Sequence, residues 1–331
     1  MKQVYLTSPC NIATSVLLSL LTGLPAPLND VSQGRRHIWG KIMKLKPFTT
    51  VEQQLSLIEN KGFRINDWET ARVFVTNVGY YRLRAYFLPF KTSSGYRPED
   101  FSRIMQLYEF DTKLRAWLFE VIGEIECVIR ARFSSYLARK YGPECHLDAS
   151  TFDTDHKHEK YAARIKDVIQ RNHTSPIIQH HQEKYGGHFP IWVIIEFFSV
   201  GMLSFTFSDL RRHDRKAIAR LFHTGDNQLI SWLKAFTELR NKCAHFARLY
   251  YWRFTSVPKI DRRMEKPVDR TLFSQIHMLK FLHQDAAKWN VVISKLWHPS
   301  CSAMKRQSIS STSGFQRTGK ISSPRGDGIH E

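Results

Sequence analysis

Apolar side chains between Phe101 and Lys140 fall at Leu107, Phe110, Leu114, Leu118, Val121, Ile122, Ile125, Val128 and Ile129, then at Phe133 and Leu137. Steps of three and four residues mark one face of an α-helix. The stretch therefore predicts helix, with a break or bend inside it, because one helix of that length is unusual. Shorter patterns of the same period flank it. TTVEQQLSLIENKGF, residues 49–63, has Thr49 or Thr50 to cap, Glu52 or Gln53 to answer from the first turn, and Gly62 to end the run. In INDWETARVFVTNVGYYRLRAYFLPF, residues 65–90, Asp67 caps, Gly79 interrupts, and a short aromatic helix is stopped by Pro89.

Residues 140–160 are rich in Pro, Gly, Asp and His and read as a loop. Helices are predicted over 158–171 and 174–184, the second stopped by Gly186 and Gly187. IWVIIEFFSVGMLSFTFSDL, after Pro190, opens on β-branched residues but has the length and Leu/Phe/Met content of a helix. RHDRKAIARLFH and DNQLISWLKAFTELRNKCAHFARLY complete the series, with Asp226 or Asn227 to cap the second. No alternating strand pattern, Asn-Gly hairpin signal or internal repeat intervenes. The expected class is all-α. An extension covers 1–45, N-terminal helices 46–100, a helical bundle 101–298, and a Ser/Gly/basic low-complexity tail, expected to be disordered, 299–331.

The extension contains IATSVLLSLLTGLPA, residues 12–26, which imitates a secretory signal. It is too short to span a bilayer, and its basic region is thin. It reads as a poorly ordered extension, or as sequence upstream of a start at Met43.

Charge narrows the partners. With 49 Lys and Arg against 30 Asp and Glu, the chain carries +19, a field that draws in polyanions. Nucleic acid is the first candidate and an anionic membrane surface the second; no stable membrane association is expected. Five cysteines, odd in number and irregularly spaced, exclude a disulfide framework and fit a reducing cytoplasm. Histidines at 156, 158, 180, 181 and 188, with Cys145 and His146, match no zinc spacing, so no metal site or cofactor is expected.

Candidate chemistry lies in ELRNKCAHFARLYYWRF, residues 238–254. On a helix Asn241 and His245 share a face, and Arg240 lies about 140° from His245, within an arginine's reach. A cationic fork, an amide and an imidazole around one volume suit RNA cleavage. RNA brings its own nucleophile, the 2′-hydroxyl. His245 would serve as base or acid, Arg240 would clamp the phosphoryl oxygens, and Asn241 would hold the imidazole or the ribose. One histidine does not easily act as base and acid in one step, so a homodimer pairing two copies is expected. The spacing alone also admits a plainer account, with Arg240 in a surface ion pair, Asn241 near a cap and His245 hydrogen-bonded in the core.

Six separated stretches, 46–63, 78–90, 107–133, 189–210, 214–222 and 231–250, resemble in order the Abi-like proteins, the AbiD/AbiF-type abortive-infection proteins of bacterial phage resistance. These in turn resemble the HEPN superfamily of helical ribonucleases. The resemblance implies an HEPN-like helical bundle with additional N-terminal helices. It implies that Arg240 to His245 is the Arg-x4-His motif of a metal-independent endoribonuclease whose site forms across a dimer. It further implies growth arrest of the infected cell; an inhibitory RNA or protein antitoxin would explain how so lethal an activity is kept silent, and the basic surface would suit an RNA. The family often has a second histidine after the motif's own, and a tryptophan further on. Here those places hold Phe246 and Tyr250.

Alongside the motif, Tyr81, Arg82, Arg84, Arg130, Lys242, Phe246 and Arg248 are the expected RNA-binding residues, as basic or stacking side chains. Tyr80 and Phe87 are expected to pack inside. Glu126 is four residues before Arg130, the spacing of an ion pair, and in the fold the resemblance implies it can orient Arg240 or His245. The alternative to an enzyme is a non-catalytic RNA-binding or regulatory protein of a phage-defence or toxin-antitoxin system.

Overall fold

The computed structural model of the protein describes residues 47–264 and 268–295, without the side chains of 292–295. The extension at 1–45, with its signal-like stretch, and the tail at 299–331 lie outside the described residues. Among the described residues the regular structure is twelve α-helices, short 3-10 turns and one two-stranded sheet, an all-α fold.

The N-terminal helices form where local chemistry dictates. α1 (Val51–Glu59) opens on a complete capping box: Thr50 accepts from the Gln53 N–H, and the Gln53 side chain accepts from the Thr50 N–H. The Asp67 carboxylate caps α2 (Trp68–Val78) by accepting from the Thr70 N–H at 3.0 Å. Gly79, at φ +84°, turns the chain into α3 (Tyr80–Leu83). Two 3-10 turns follow, Arg84–Tyr86 and Leu88–Phe90, and Pro89 lies inside the second instead of ending a longer helix. β1 (Phe63–Arg64) pairs in parallel with β2 (Glu99–Asp100), Phe63 opposite Glu99. The rings of Phe63, Tyr86, Phe87 and Phe90 fill a first hydrophobic core.

α4 runs from Phe101 to Tyr141, 41 residues without interruption, or about 60 Å. The expected break is absent because both ends of the helix are supported by packing. Phe101, Ile104 and Leu107 close the first core, whereas Leu114 to Leu137 line a second, larger one. Around it run α5 (His158–Arg171), α6 (Pro176–Lys184), α7 (Ile191–Ile194), α8 (Val200–Asp209), α9 (Arg212–Leu221), α10 (Asp226–Ala244), α11 (Leu272–His283) and α12 (Ala286–Lys295). α10 packs chiefly on α8 and also against α4, α9 and α11. Its inward residues Leu229, Trp232, Leu233, Phe236 and Leu239 are fully buried.

Two helices differ from the periodicity. The stretch after Pro190 is broken: Phe198 is extended, and Ser199 caps α8 by accepting from the Met202 N–H. The Arg130 guanidinium donates to the carbonyls of Ile195 and Phe198 at 3.3 and 3.0 Å, supplying donors that a continuous helix would have supplied. α10 starts from Gly225, which makes no side-chain cap bond, in place of the expected Asp226 or Asn227 cap. It stops at Ala244, short of Tyr250.

Candidate active site

Asn241 lies in the last turn of α10, Arg240 just before it, and His245 is the residue that caps the helix. The helix closes in a Schellman motif. The Phe246 N–H donates to the Cys243 carbonyl at 3.2 Å, and the Ala247 N–H to the Lys242 carbonyl at 2.9 Å. The left-handed position of this motif, where glycine is usual, is Phe246 at φ +51°. A Cβ there costs about 1–2 kcal/mol. The Phe246 ring is left 65% exposed beside the motif. His245 and Asn241 are exposed too, and their side chains make no hydrogen bond among the described residues. His245 is therefore not a core histidine.

Arg240 is held from behind. Its Nε donates to Glu126 Oε1 at 3.1 Å, and Glu126 Oε2 accepts from Arg130 Nη1, also at 3.1 Å. Glu126 is largely buried while Arg240 remains a third exposed. One carboxylate is thus shared by two guanidinium groups. The terminal amino groups of Arg240 have no hydrogen-bond partner among the described residues. A guanidinium gripped at Nε with its Nη groups free presents oriented donors to an anion. Arg130, with its fork committed to Glu126 and two carbonyls, braces this wall from inside and does not face solvent.

The chain beyond His245 is tied by side-chain hydrogen bonds to residues far away in sequence. Arg82 Nη1 donates to the Phe246 carbonyl at 3.2 Å, Arg115 Nη1 to that of Ala247 at 3.4 Å, and Arg248 Nη1 to that of Ala85 at 3.1 Å. The buried Asp111 carboxylate accepts from the Tyr86 hydroxyl, from Arg115, and from the N–H groups of Leu249 and Tyr250. Burial, reinforced by the Asp111 charge beside it, pushes the Tyr86 hydroxyl well above its ordinary range. Burial raises the Cys243 thiol to about 12, which removes it as a nucleophile although it lies within the motif.

A family model described as Abi-like protein matches residues 73–251, more than half of the 331-residue chain. The chain belongs to the Abi-like protein family. Membership places it among proteins of abortive infection, a defence against phage. Among curated proteins and solved structures, none matches the Abi-like chain. The family match runs from α2 to Tyr251, so it takes in Glu126, the motif and most of the clamp around it.

The clamp also gathers the remaining candidates of this Abi-like protein. Tyr81, Arg82 and Arg84 are exposed, with the Arg84 guanidinium 5.7 Å from the Tyr81 ring. The Arg82–Phe246 bond brings them beside the motif. Lys242 lies with its Nζ 3.5 Å from the Trp252 ring centroid, and burial lowers its pKa. Arg248 is a half-buried strut against Ala85 and Tyr250. Phe87 is buried, and Tyr80 packs on the first core with its hydroxyl accepting from Lys61. The sequence reading missed Asp111, Arg115 and Trp252. The first two carried a signal: Asp111 sits on the apolar stripe between Leu107 and Leu114, with Arg115 four residues on. Among the described residues no group of three His, Cys, Asp or Glu is placed to hold a metal, and no helix is long and apolar enough to cross a membrane.

Proposed function

We propose that the chain is an endoribonuclease of an abortive-infection system, acting in the cytoplasm without a metal. The observation that carries the reading is Arg240, gripped at Nε by Glu126 with its Nη groups free among the described residues, five residues before the exposed His245, whose side chain is likewise unpaired there. The free Nη groups would take the non-bridging oxygens of a phosphodiester, where charge builds in the transition state. His245 would accept the proton of the 2′-hydroxyl as its oxygen attacks phosphorus. The bond to the 5′-oxygen breaks, and that oxygen takes a proton from the partner's His245 in a homodimer. The products are a 2′,3′-cyclic phosphate and a 5′-hydroxyl. The exposed Tyr81 and Phe246 rings, with Arg82 and Arg84, supply stacking and phosphate contacts for single-stranded RNA. An inhibitory RNA or protein partner would keep the activity silent.

The test is purified protein incubated with total cellular RNA in EDTA, beside a His245→Ala variant, with the fragment ends mapped. Cyclic-phosphate ends from the wild type, reduced about 100-fold or more in the variant, are expected for general acid–base work by this imidazole. Equal cleavage by both, or none by either, would remove the nuclease assignment and leave a non-catalytic RNA-binding protein.

A further inference from the structure

We infer that Asp111 is a positioning residue for the His245 site, and that through it the N-terminal helices form part of that site. The catalytic consequence rests on the ribonuclease reading; the structural one does not.

Asp111 is fully buried on α4, where Leu107 belongs to the first core and Leu114 to the second. A carboxylate at such a junction is costly unless its lone pairs are filled. They are filled from three directions. Oδ1 accepts from the Tyr250 N–H at 2.7 Å and from the Leu249 N–H at 3.2 Å. Oδ2 accepts from the Tyr86 hydroxyl at 2.6 Å and from Arg115 Nη1 at 2.5 Å. Tyr86 belongs to the first core, its ring 5.6 Å from that of Tyr108. The two backbone donors follow His245 by four and five residues.

No regular element holds residues 245–250 once α10 has ended. Past the Schellman turn, the polar anchors of this segment are the carboxylate of Asp111 and the guanidinium groups of Arg82, Arg115 and Arg248, while Leu249 is buried in the second core and Tyr250 packs on the first. Asp111 is the anchor that takes two consecutive backbone N–H groups of the segment and joins them to Tyr86 of the first core and to Arg115. A displacement of about 1 Å at a reacting group costs on the order of 100-fold in rate. The imidazole therefore depends on a carboxylate that does not touch the substrate.

Two variants test this: Asp111→Asn, which removes the charge, and Tyr86→Phe, which removes one donor and leaves the Asp111–Arg115 pair. Each is read by amide hydrogen exchange at Leu249 and Tyr250, with amides of α8 as the internal control, and by kcat and KM on a mixed-sequence single-stranded RNA. In Asp111→Asn, exchange at both amides is expected to rise at least about tenfold, as for loss of a bond to a charged group, with α8 unchanged. kcat is expected to fall about 10- to 100-fold while KM moves less than about twofold. Tyr86→Phe is expected to shift the same readouts in the same direction by less, and it carries the test if Asp111→Asn does not fold. Unchanged exchange at Leu249 and Tyr250 in the folded variants, or His245-dependent cleavage with unaltered kcat, overturns the inference and leaves the ribonuclease standing. If RNA is cleaved by neither wild type nor His245→Ala, the ribonuclease reading fails, while faster exchange confined to residues 246–250 still supports the positioning role.

Discussion

Phe246 is the residue where local preference and site geometry conflict most openly. A phenylalanine at φ +51° occupies a position that helix ends give to glycine. Strain kept at such a point marks a place where the side chain is wanted. Phe246→Gly should therefore move two properties in opposite directions. Relief of the Cβ crowding, less the extra freedom glycine gives the unfolded chain, should raise stability by about 0.5–1 kcal/mol. Loss of a stacking ring should weaken single-stranded RNA binding by about 1–3 kcal/mol. A higher melting temperature with a tighter or unchanged Kd would deny Phe246 any part in binding. The identity of this residue was plain in the sequence, and so were Arg240, Asn241, His245 and Glu126, because spacing and family resemblance both single them out. Its backbone conformation was not, since that depends on where α10 ends. The end is fixed from outside the helix, by Arg82 on Phe246, Arg115 on Ala247 and Asp111 on the N–H groups that follow.

Elements show the same division between local and distant causes. The Thr50 and Asp67 caps could be read from the sequence because each cap completes its bonds within three residues. The unbroken α4 and the interruption at Phe198 could not: one needs two cores, and the other needs Arg130 from 68 residues earlier. The 3-10 turn Cys145–Leu147 is a third case. It reads as polar loop, yet it buries Cys145 and His146. Burial disfavours the His146 imidazolium and lowers its pKa from 6.5 to about 4. Between those values the unfolded chain binds a proton that the folded chain does not. Stability from this group is therefore complete above about pH 6.5 and falls as the pH drops toward 4, by about 3 kcal/mol at full extent. His146→Leu should lose that part of the pH slope, so its urea midpoint should fall less between pH 7 and pH 4.5 than that of the wild type. Parallel curves for the two proteins would mean that the turn opens to water before the histidine titrates.

At the scale of the whole molecule, the net charge of +19 says only that a polyanion is attracted, not where it lies. The fold separates cations that are used internally from those left for a ligand. Arg115 and Arg130 are spent inside, on Asp111 and on Glu126 with two carbonyls. Arg84 is exposed, with the Tyr81 ring as its near neighbour, and the Arg82–Phe246 bond joins that corner to the motif. A long-range field and a local phosphate contact are distinguished by salt. Each phosphate neutralised on a single strand adds about 0.7 to the slope of log K against log salt. Arg84→Ala should therefore weaken binding of single-stranded RNA and flatten that slope by about 0.7. A control that removes an equal charge from α5, such as Arg171→Ala at an exposed ion pair with Asp167, should leave the slope unchanged. Equal slopes for wild type and Arg84→Ala would move the RNA path off the 81–84 corner. The Arg240–His245 end of α10 would then have to be approached from its other side.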